Sequence, residues 1–279
     1  TADKLAVYGI TYRLDQDLLA EAWKDRPELP SKPLFLHPEQ YAGASAKERI
    51  ESVRLRLRNQ GANATIITMI DELAWVFNIR GNDVAYNPVA VAFGYIGERE
   101  AFLFVNPQKV PADVRTYLEQ NGVTLRDYTE LDAFIAALSA DVRLLIDSKR
   151  ITYHLHSLIP SHCRQIPGVS ALTQLKAIKN EVEIGHLRQV MARDGVALTR
   201  FFKWLEESLQ RGETFSEVEL ADILNKQRAT DSLFYGDSFA TICGYQGNGA
   251  IVHYHAQKDT CATVKPEGVL LLDSGGQYL

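Results

Sequence analysis

A carboxylate and two imidazoles late in this chain are the residues whose types and spacing could do chemistry. Val269, Leu270, Leu271 and Leu272 form an apolar run that ends in Asp273, with Ser274, Gly275 and Gly276 following. The run reads as a buried strand, and an ionised carboxylate is costly to bury unless it is paired or coordinated to a metal. Asp273 can equally cap the glycine-rich turn through the backbone, and strand logic leaves both readings open. Upstream, Ala250, Ile251, Val252, His253, Tyr254 and His255 alternate as a strand would, which puts His253 and His255 on one face. Two such histidines could ligate a metal; the plainer reading has one exposed and the other hydrogen-bonded at a sheet surface. There is no HExxH, no GxxxxGK[ST], no GxSxG and no GxGxxG after a strand, which removes most of the weight from zincin, P-loop, α/β-hydrolase and dinucleotide-binding readings.

The elements that must position these groups belong to an ordinary globular chain of 279 residues, 46% hydrophobic and 23% charged. Its 35 acidic and 30 basic residues are mixed along the sequence, so no basic stripe is available to neutralise phosphates and nucleic acid is not an expected partner. The longest apolar runs fall short of the roughly 20 residues needed to cross a bilayer, and the first residues lack the pattern of a signal peptide. No membrane association is expected. Cys163, Cys243 and Cys261 are odd in number and too far apart for CxxC chemistry, so they read as reduced thiols of a cytoplasmic protein.

Proline clusters at Pro27, Pro30, Pro33 and Pro38, and again at Pro160 and Pro167, divide the chain into three parts. Residues 1–36 form a short leader with helical character over 15–24 and little core of its own. Residues 37–168 alternate helix and strand signals, the pattern of an α/β domain. Ser45 with Glu48 starts a helix that carries Ile50, Val53 and Leu57 on one face. Strands are expected at 65–70, 89–96, 101–105 and 144–147, and helices at 112–120 and 130–138. Residues 169–279 change character. Asn180 with Glu183 opens a long helix with an apolar stripe of Ile184, Leu187, Met191, Leu198, Phe201 and Leu205, ended by Gly212. Ser216 with Glu219 starts a second helix to about 226, and strands are expected at 239–243, 250–254 and 269–273. Two helices over an antiparallel sheet make this last part α+β.

Several ordered blocks carry a resemblance that covers nearly the whole chain. Trp23-Lys24-Asp25-Arg26-Pro27, the run from Asp71 to Val84 ahead of Asn87-Pro88-Val89, Arg193-Asp194-Gly195, Asn248-Gly249-Ala250-Ile251-Val252-His253-Tyr254 and Leu272-Asp273-Ser274-Gly275-Gly276 are similar to the three-domain Xaa-Pro aminopeptidases of the pita-bread metallopeptidases. The resemblance implies a creatinase-like α/β domain followed by the first part of an α+β pita-bread catalytic domain, with residues 1–36 the remnant of a preceding creatinase-like domain. It implies two divalent metal ions, manganese with zinc and cobalt as the other candidates, and a carboxylate-rich site suited to hard cations. Asp273 matches the first metal ligand. His253 matches an active-site histidine that contacts substrate without ligating metal, which weakens the two-histidine idea. Phe239 is a candidate wall for the N-terminal side chain of the substrate or plain core. Arg80 could face substrate across the domain cleft or form a surface ion pair. The implied substrates are peptides with proline in second position, and the implied assembly is a homodimer.

The family's further ligands, a second aspartate, a histidine and two glutamates, have no counterpart in these residues. One carboxylate cannot hold a two-metal site at useful affinity. The 279 residues alone are therefore expected to bind no metal pair and to be inactive, and strand 269–273 is expected to leave unpaired edges. The competing reading is a non-catalytic pita-bread relative used as a binding scaffold.

Overall fold

The computed structural model describes residues 5–11, 13, 16 and 18–279. In the leader, α1 (Leu18–Ala22) buries none of its residues, and the part of the expected 15–24 helix at Asp15 and Asp17 lies outside the described residues. The chain then runs through β1 (Phe35–Leu36), α2 (Glu39–Ala42), α3 (Ala46–Asn59), β2 (Ala64–Ile67), α4 (Ile70–Val76), β3 (Ile79–Arg80), β4 (Phe93–Ile96), β5 (Ala101–Phe104), α5 (Ala112–Gln120), β6 (Thr124–Arg126), α6 (Leu131–Ala136), β7 (Arg143–Ile146), α7 (Tyr153–Ser157), β8 (Arg164–Pro167) and α8 (Ala171–Ala177).

Six of these strands form one mixed sheet in the order β6-β5-β4-β2-β7-β8. Strand alternation splits its side chains between two cores. Ile67 and Leu145 face Ile50, Val53 and Leu57 of α3, Leu73 and Val76 of α4 and Leu118 of α5. Ala64, Leu144 and Ile146 face Leu131 and Ile135 of α6 and Leu155 of α7. Each fully buried leucine or isoleucine contributes about 1.5–3 kcal/mol, so helices on both faces are what make this sheet stable. The expected strand 89–96 is shorter than read: only Phe93–Ile96 pairs, and residues 81–91 form an irregular loop. A buried ion pair from Lys109 to Asp83 pins that loop, together with the Val91 N–H donating to Asp83 Oδ2 at 2.7 Å.

The second part opens on α9 (Glu181–Gln210), followed by β9 (Phe215–Ser216), α10 (Glu217–Arg228), β10 (Phe234–Asp237), β11 (Ile242–Tyr245), β12 (Thr263–Val264), β13 (Leu270–Asp273) and β14 (Gly276–Tyr278). All three expected capping boxes are present, at Ser45–Glu48, Asn180–Glu183 and Ser216–Glu219. The core here is small: Phe201 and Leu205 of α9, Leu220 and Leu224 of α10, Cys243 and Tyr245 of β11 and Val264 of β12. The apolar stripe of α9 is covered only in its second half. Leu187 and Met191 stand exposed, although the first turns of α9 meet α2, where His186 Nε2 lies 3.1 Å from Gln40 O.

Arg49 makes the joint between the two parts. Buried, it donates to Ala42 O at 2.7 Å, Asn78 Oδ1 at 2.8 Å, Glu183 Oε1 at 3.0 Å and Trp75 O, and it lies 4.6 Å from the centre of the Trp75 ring. Glu183 belongs to the capping box of α9, so one guanidinium ties α3 to the start of the long helix. Gly43 completes the joint at φ 70°, where an added Cβ would sit 2.5 Å from Asn180 Oδ1 and 2.8 Å from Val182 Cβ. Gly43→Ala is expected to lower the unfolding free energy by more than about 1 kcal/mol, since it meets both a left-handed backbone and a filled space. Urea denaturation checks this: the midpoint should fall, and an unchanged midpoint would mean that the joint is packed differently.

Candidate active site

The site is built on an antiparallel ribbon. β10 pairs with β14, Asp237 opposite Gly276, and β11 pairs with β13, Ile242 opposite Asp273. Between the two pairings, residues 238–241 stand opposite only residues 274–275, a bulge of the kind that re-aims side chains. Of the expected strand 239–243, only Ile242 and Cys243 are strand, as the start of β11; residues 239–241 lie in the bulge, and β10 precedes the expected range. The Ser238 N–H donates to Gly275 O at 2.9 Å. A Cβ at Gly275 would lie 2.4 Å from Ser238 Oγ and 3.1 Å from Phe239 Cε1, so only glycine lets the Phe239 ring approach the turn that follows Asp273.

Asp273 is the last residue of β13, as read, but the strand is half-exposed: Leu270 and Leu272 turn toward the core while Leu271 and Asp273 are exposed. Its carboxylate makes no hydrogen bond or ion pair among the described residues. Two buried oxygens without a partner, Asp237 Oδ1 and Thr241 Oγ1, flank the same bulge. The ribbons are two-stranded, which leaves the outer edge of β13 unpaired among the described residues, as expected of strand 269–273, and that of β14 as well.

The turn after Asp273 is held from beneath. Arg228, the last residue of α10 and 1% exposed, donates from Nε to Asp194 Oδ1 at 2.7 Å and from Nη2 to Ser274 Oγ at 3.1 Å. The Tyr278 hydroxyl donates to Asp194 Oδ1 at 2.8 Å. Burial pushes the Asp194 carboxyl up, but the hydrogen bonds from Arg228 and Tyr278 outweigh it and hold the group below the usual carboxylate range.

His253 is not on a strand. Residues 246–250 wind a 3₁₀ turn and His253 follows in a turn at φ 56°, so the period-two face shared by His253 and His255 does not exist; both are exposed. The cause is Glu217, fully buried at the first position of α10. Its Oε1 accepts from the Tyr245 N–H at 2.6 Å and from Asn248 Nδ2 at 3.1 Å; its Oε2 accepts from the Tyr254 hydroxyl at 2.7 Å and the Ala262 N–H at 2.9 Å. These bonds fold the segment back on itself instead of letting it run on as strand. Burial raises the Glu217 carboxyl, but the backbone donors of Tyr245 and Ala262, with Tyr254 and Asn248, overcome this and keep it below the ordinary glutamate range. Burial and the bond to Glu217 push the Tyr254 hydroxyl up to about 12.

Because the folded-state value of Glu217 lies below the unfolded one, its ionised form stabilises the fold above the ordinary glutamate range, and this contribution is lost as pH falls through the folded value. Glu217→Gln is expected to cost about 2–3 kcal/mol at pH 7, since an amide nitrogen would face donors. The gap to the native protein should narrow below the ordinary glutamate range, as urea midpoints at successive pH values would read. A gap constant down to strong acid would contradict the charged clamp.

Arg80 forms no ion pair among the described residues. It donates to Ala74 O at 2.9 Å and Ile79 O at 3.0 Å, with its pKa lowered to about 10 first by burial and then by Arg49. Its strand neighbour Phe35 stacks on Tyr235 of β10 at 5.4 Å, Tyr235 hydrogen-bonds Asn82, and Gln277 reaches Tyr86 O at 3.3 Å. The 81–91 loop therefore docks beside the ribbon that carries Asp237 and Asp273. Glu217, Asp194, Arg228 and Asp237 escape a reading of spacing: each looks like another surface charge in its helix or strand, and only tertiary contacts distinguish it.

As an exposed hard oxygen donor, Asp273 suits a divalent cation in kind. It does not make a site alone, for no three His, Cys, Asp or Glu side chains come together among the described residues. No helix among them is long and apolar enough to cross a membrane.

Comparison with known proteins matches residues 25–183 to a creatinase/prolidase N-terminal domain model and residues 185–279 to metallopeptidase family M24. The probable Xaa-Pro aminopeptidase P of Pyrenophora tritici-repentis is 34% identical over 99% of this chain and 49% of its own length. An X-prolyl aminopeptidase from Caenorhabditis elegans, a cytosolic enzyme with a di-nuclear active site, superposes with TM-score 0.92 at 27% identity over 99% of this chain and 46% of its own. The N-terminal domain of the FACT complex subunit SPT16 from chickpea shares the fold at TM-score 0.61 and 12% identity, over 84% of this chain and 62% of its own. The chain spans about half the length of the curated relatives it matches.

Proposed function

This chain belongs to the creatinase/prolidase N-terminal domain family, continued by a segment of metallopeptidase family M24, and from that premise we propose that it serves a metal-dependent aminopeptidase releasing the residue before a proline. The observation that carries the reading is Asp273, a carboxylate with no partner among the described residues at the end of β13, beside a bulge that brings Phe239 over the neighbouring turn. In this reading residues 1–36 end a first domain, 37–168 form the creatinase-like domain and 169–279 begin the catalytic one.

Each residue then has a task. Asp273 is one ligand of a pair of divalent ions, manganese by the carboxylate character of the site, whose other ligands come from the part of the relatives' length that these residues do not span. Bound ions of this kind polarise a carbonyl and lower the pKa of water. His253, exposed on a clamped turn, hydrogen-bonds the scissile carbonyl oxygen and stabilises the charge that develops there. Phe239 walls the space for the N-terminal side chain. Arg80 works at the domain junction by holding the carbonyls of Ala74 in α4 and Ile79 in β3, beside the docked loop. The protein works in the cytoplasm on peptides with proline at position two, as a homodimer. The non-catalytic scaffold reading draws on the shared fold alone, whereas Asp273, exposed and without a partner among the described residues, and the clamped His253 favour the enzyme.

The 279-residue chain, purified and supplied with Mn²⁺, is expected to release no N-terminal residue from an Xaa-Pro peptide above an Asp273→Ala control, while the full-length protein does. Release by the short chain at rates above that control would overturn the ligand count on which this reading stands.

A further inference from the structure

We propose that Glu217 is the positioning residue for His253. The proposal rests on the reading that His253 acts on substrate. His253 lies on the segment between Tyr245 and Ala262, and that segment has little regular structure beyond its 3₁₀ turn and little apolar anchoring: Ile251 and Val252 are 55% and 83% exposed. A turn so exposed would move freely unless something fixed it. Glu217 fixes it at both ends and in the middle. It accepts from Tyr245 at the entry, from Asn248 in the 3₁₀ turn, from Tyr254 immediately after His253, and from Ala262 at the exit. The Glu217 N–H in turn donates to Ala262 O at 3.1 Å, and Asn248 Nδ2 also donates to the Tyr254 hydroxyl at 3.0 Å, so the clamp is cross-linked.

His253 itself adopts φ 56°, a conformation a non-glycine residue holds only when its surroundings over-determine it. With Tyr254 tied one residue later to a fully buried carboxylate on α10, the imidazole is placed by the helix rather than by its own loop. Glu217 faces away from solvent, so it touches neither substrate nor reacting atoms. Its effect on the reaction is through His253.

The test uses the full-length protein loaded with Mn²⁺ and an Xaa-Pro peptide. Glu217→Gln and Tyr254→Phe are expected to lower kcat by roughly 10- to 100-fold, the range seen when groups that orient a working residue are removed. KM and bound metal should stay within about twofold, since neither side chain binds peptide or metal in this account. In a His253→Ala background the same changes should cost less than about threefold, because their target is already gone. Should Glu217→Gln not fold, Tyr254→Phe carries the test, as it removes one hydroxyl and leaves the carboxylate its other donors. Wild-type kcat in Tyr254→Phe and Glu217→Gln, or an undiminished cost in the His253→Ala background, would overturn the proposal. Wild-type activity in His253→Ala alone would instead overturn the role given to His253; the clamp would then stand on faster amide exchange across residues 246–262 in Glu217→Gln, and unchanged exchange would overturn it too.

Discussion

Asp273→Ala in the full-length protein is expected to lower kcat/KM for an Xaa-Pro peptide by roughly 10³-fold or more, equivalent to about 4 kcal/mol of transition-state stabilisation. The same substitution should leave folding almost untouched, within about 0.5 kcal/mol, because the side chain is exposed and bonded to nothing among the described residues. That split separates two roles that strand logic cannot. A turn cap would lose stability of about 1 kcal/mol along with any activity, whereas a metal ligand loses activity and bound metal alone. Metal content and urea midpoints measured beside the kinetics read both.

The largest loss of stability is expected at Arg49. Arg49→Ala removes the donor shared by Ala42 O, Trp75 O, Asn78 Oδ1 and Glu183 Oε1, all drawn together around one buried guanidinium. Breaking a buried pair from one side leaves an uncompensated charge, here Glu183, at a cost of about 3–5 kcal/mol. Arg49→Lys keeps the charge but loses the planar fork, so it should fall between the two. Denaturation in urea measures this directly, and a loss below about 1 kcal/mol for the alanine variant would show that the α3–α9 joint does not depend on Arg49. The joint sits far along the chain from Asp273, so the two substitutions should act independently: one on chemistry, the other on the docking of the two parts.

Local signals were legible in the sequence wherever the physics is local. Ser45, Asn180 and Ser216 cap their helices with the glutamates expected of them, and Gly212 follows the last turn of α9 at φ 80°. The end of β13 at Asp273 was equally readable, since an apolar run closing on Asp-Ser-Gly-Gly has few other solutions. The failures have a common cause in contacts that spacing does not record. The alternation around His253 mimics a strand, but Glu217, more than thirty positions earlier, pulls the segment into a turn. The bulge at 238–241 takes the first three residues of the expected strand 239–243 out of the ladder because the register is set by a partner more than thirty residues later. Strands β6 and β8 went unread: β6 is only three residues long, and β8 ends in Pro167, which reads as punctuation. Both are the outermost strands of the sheet, and an edge is where a proline costs no ladder hydrogen bond.

Glu217 and Arg228 extend the same lesson to the site. Each is a charged residue at one end of α10, placed where a helix macrodipole favours its sign, and each would pass for routine helix-end electrostatics. Instead they point inward, Glu217 to the His253 turn and Arg228 to the Asp273 turn. A single twelve-residue helix thus supports both groups to which the proposed reaction is assigned.

The most direct measurement is the proline dependence of N-terminal residue release by the full-length, Mn²⁺-loaded protein. Two peptides that differ only in having proline or alanine at position two should be cleaved at rates at least about 100-fold apart in kcat/KM, a difference of about 2.7 kcal/mol. The free N-terminal residue and the proline-led remainder should be the products, and Asp273→Ala should abolish them. Equal release from both peptides, or release that survives Asp273→Ala, would contradict the account.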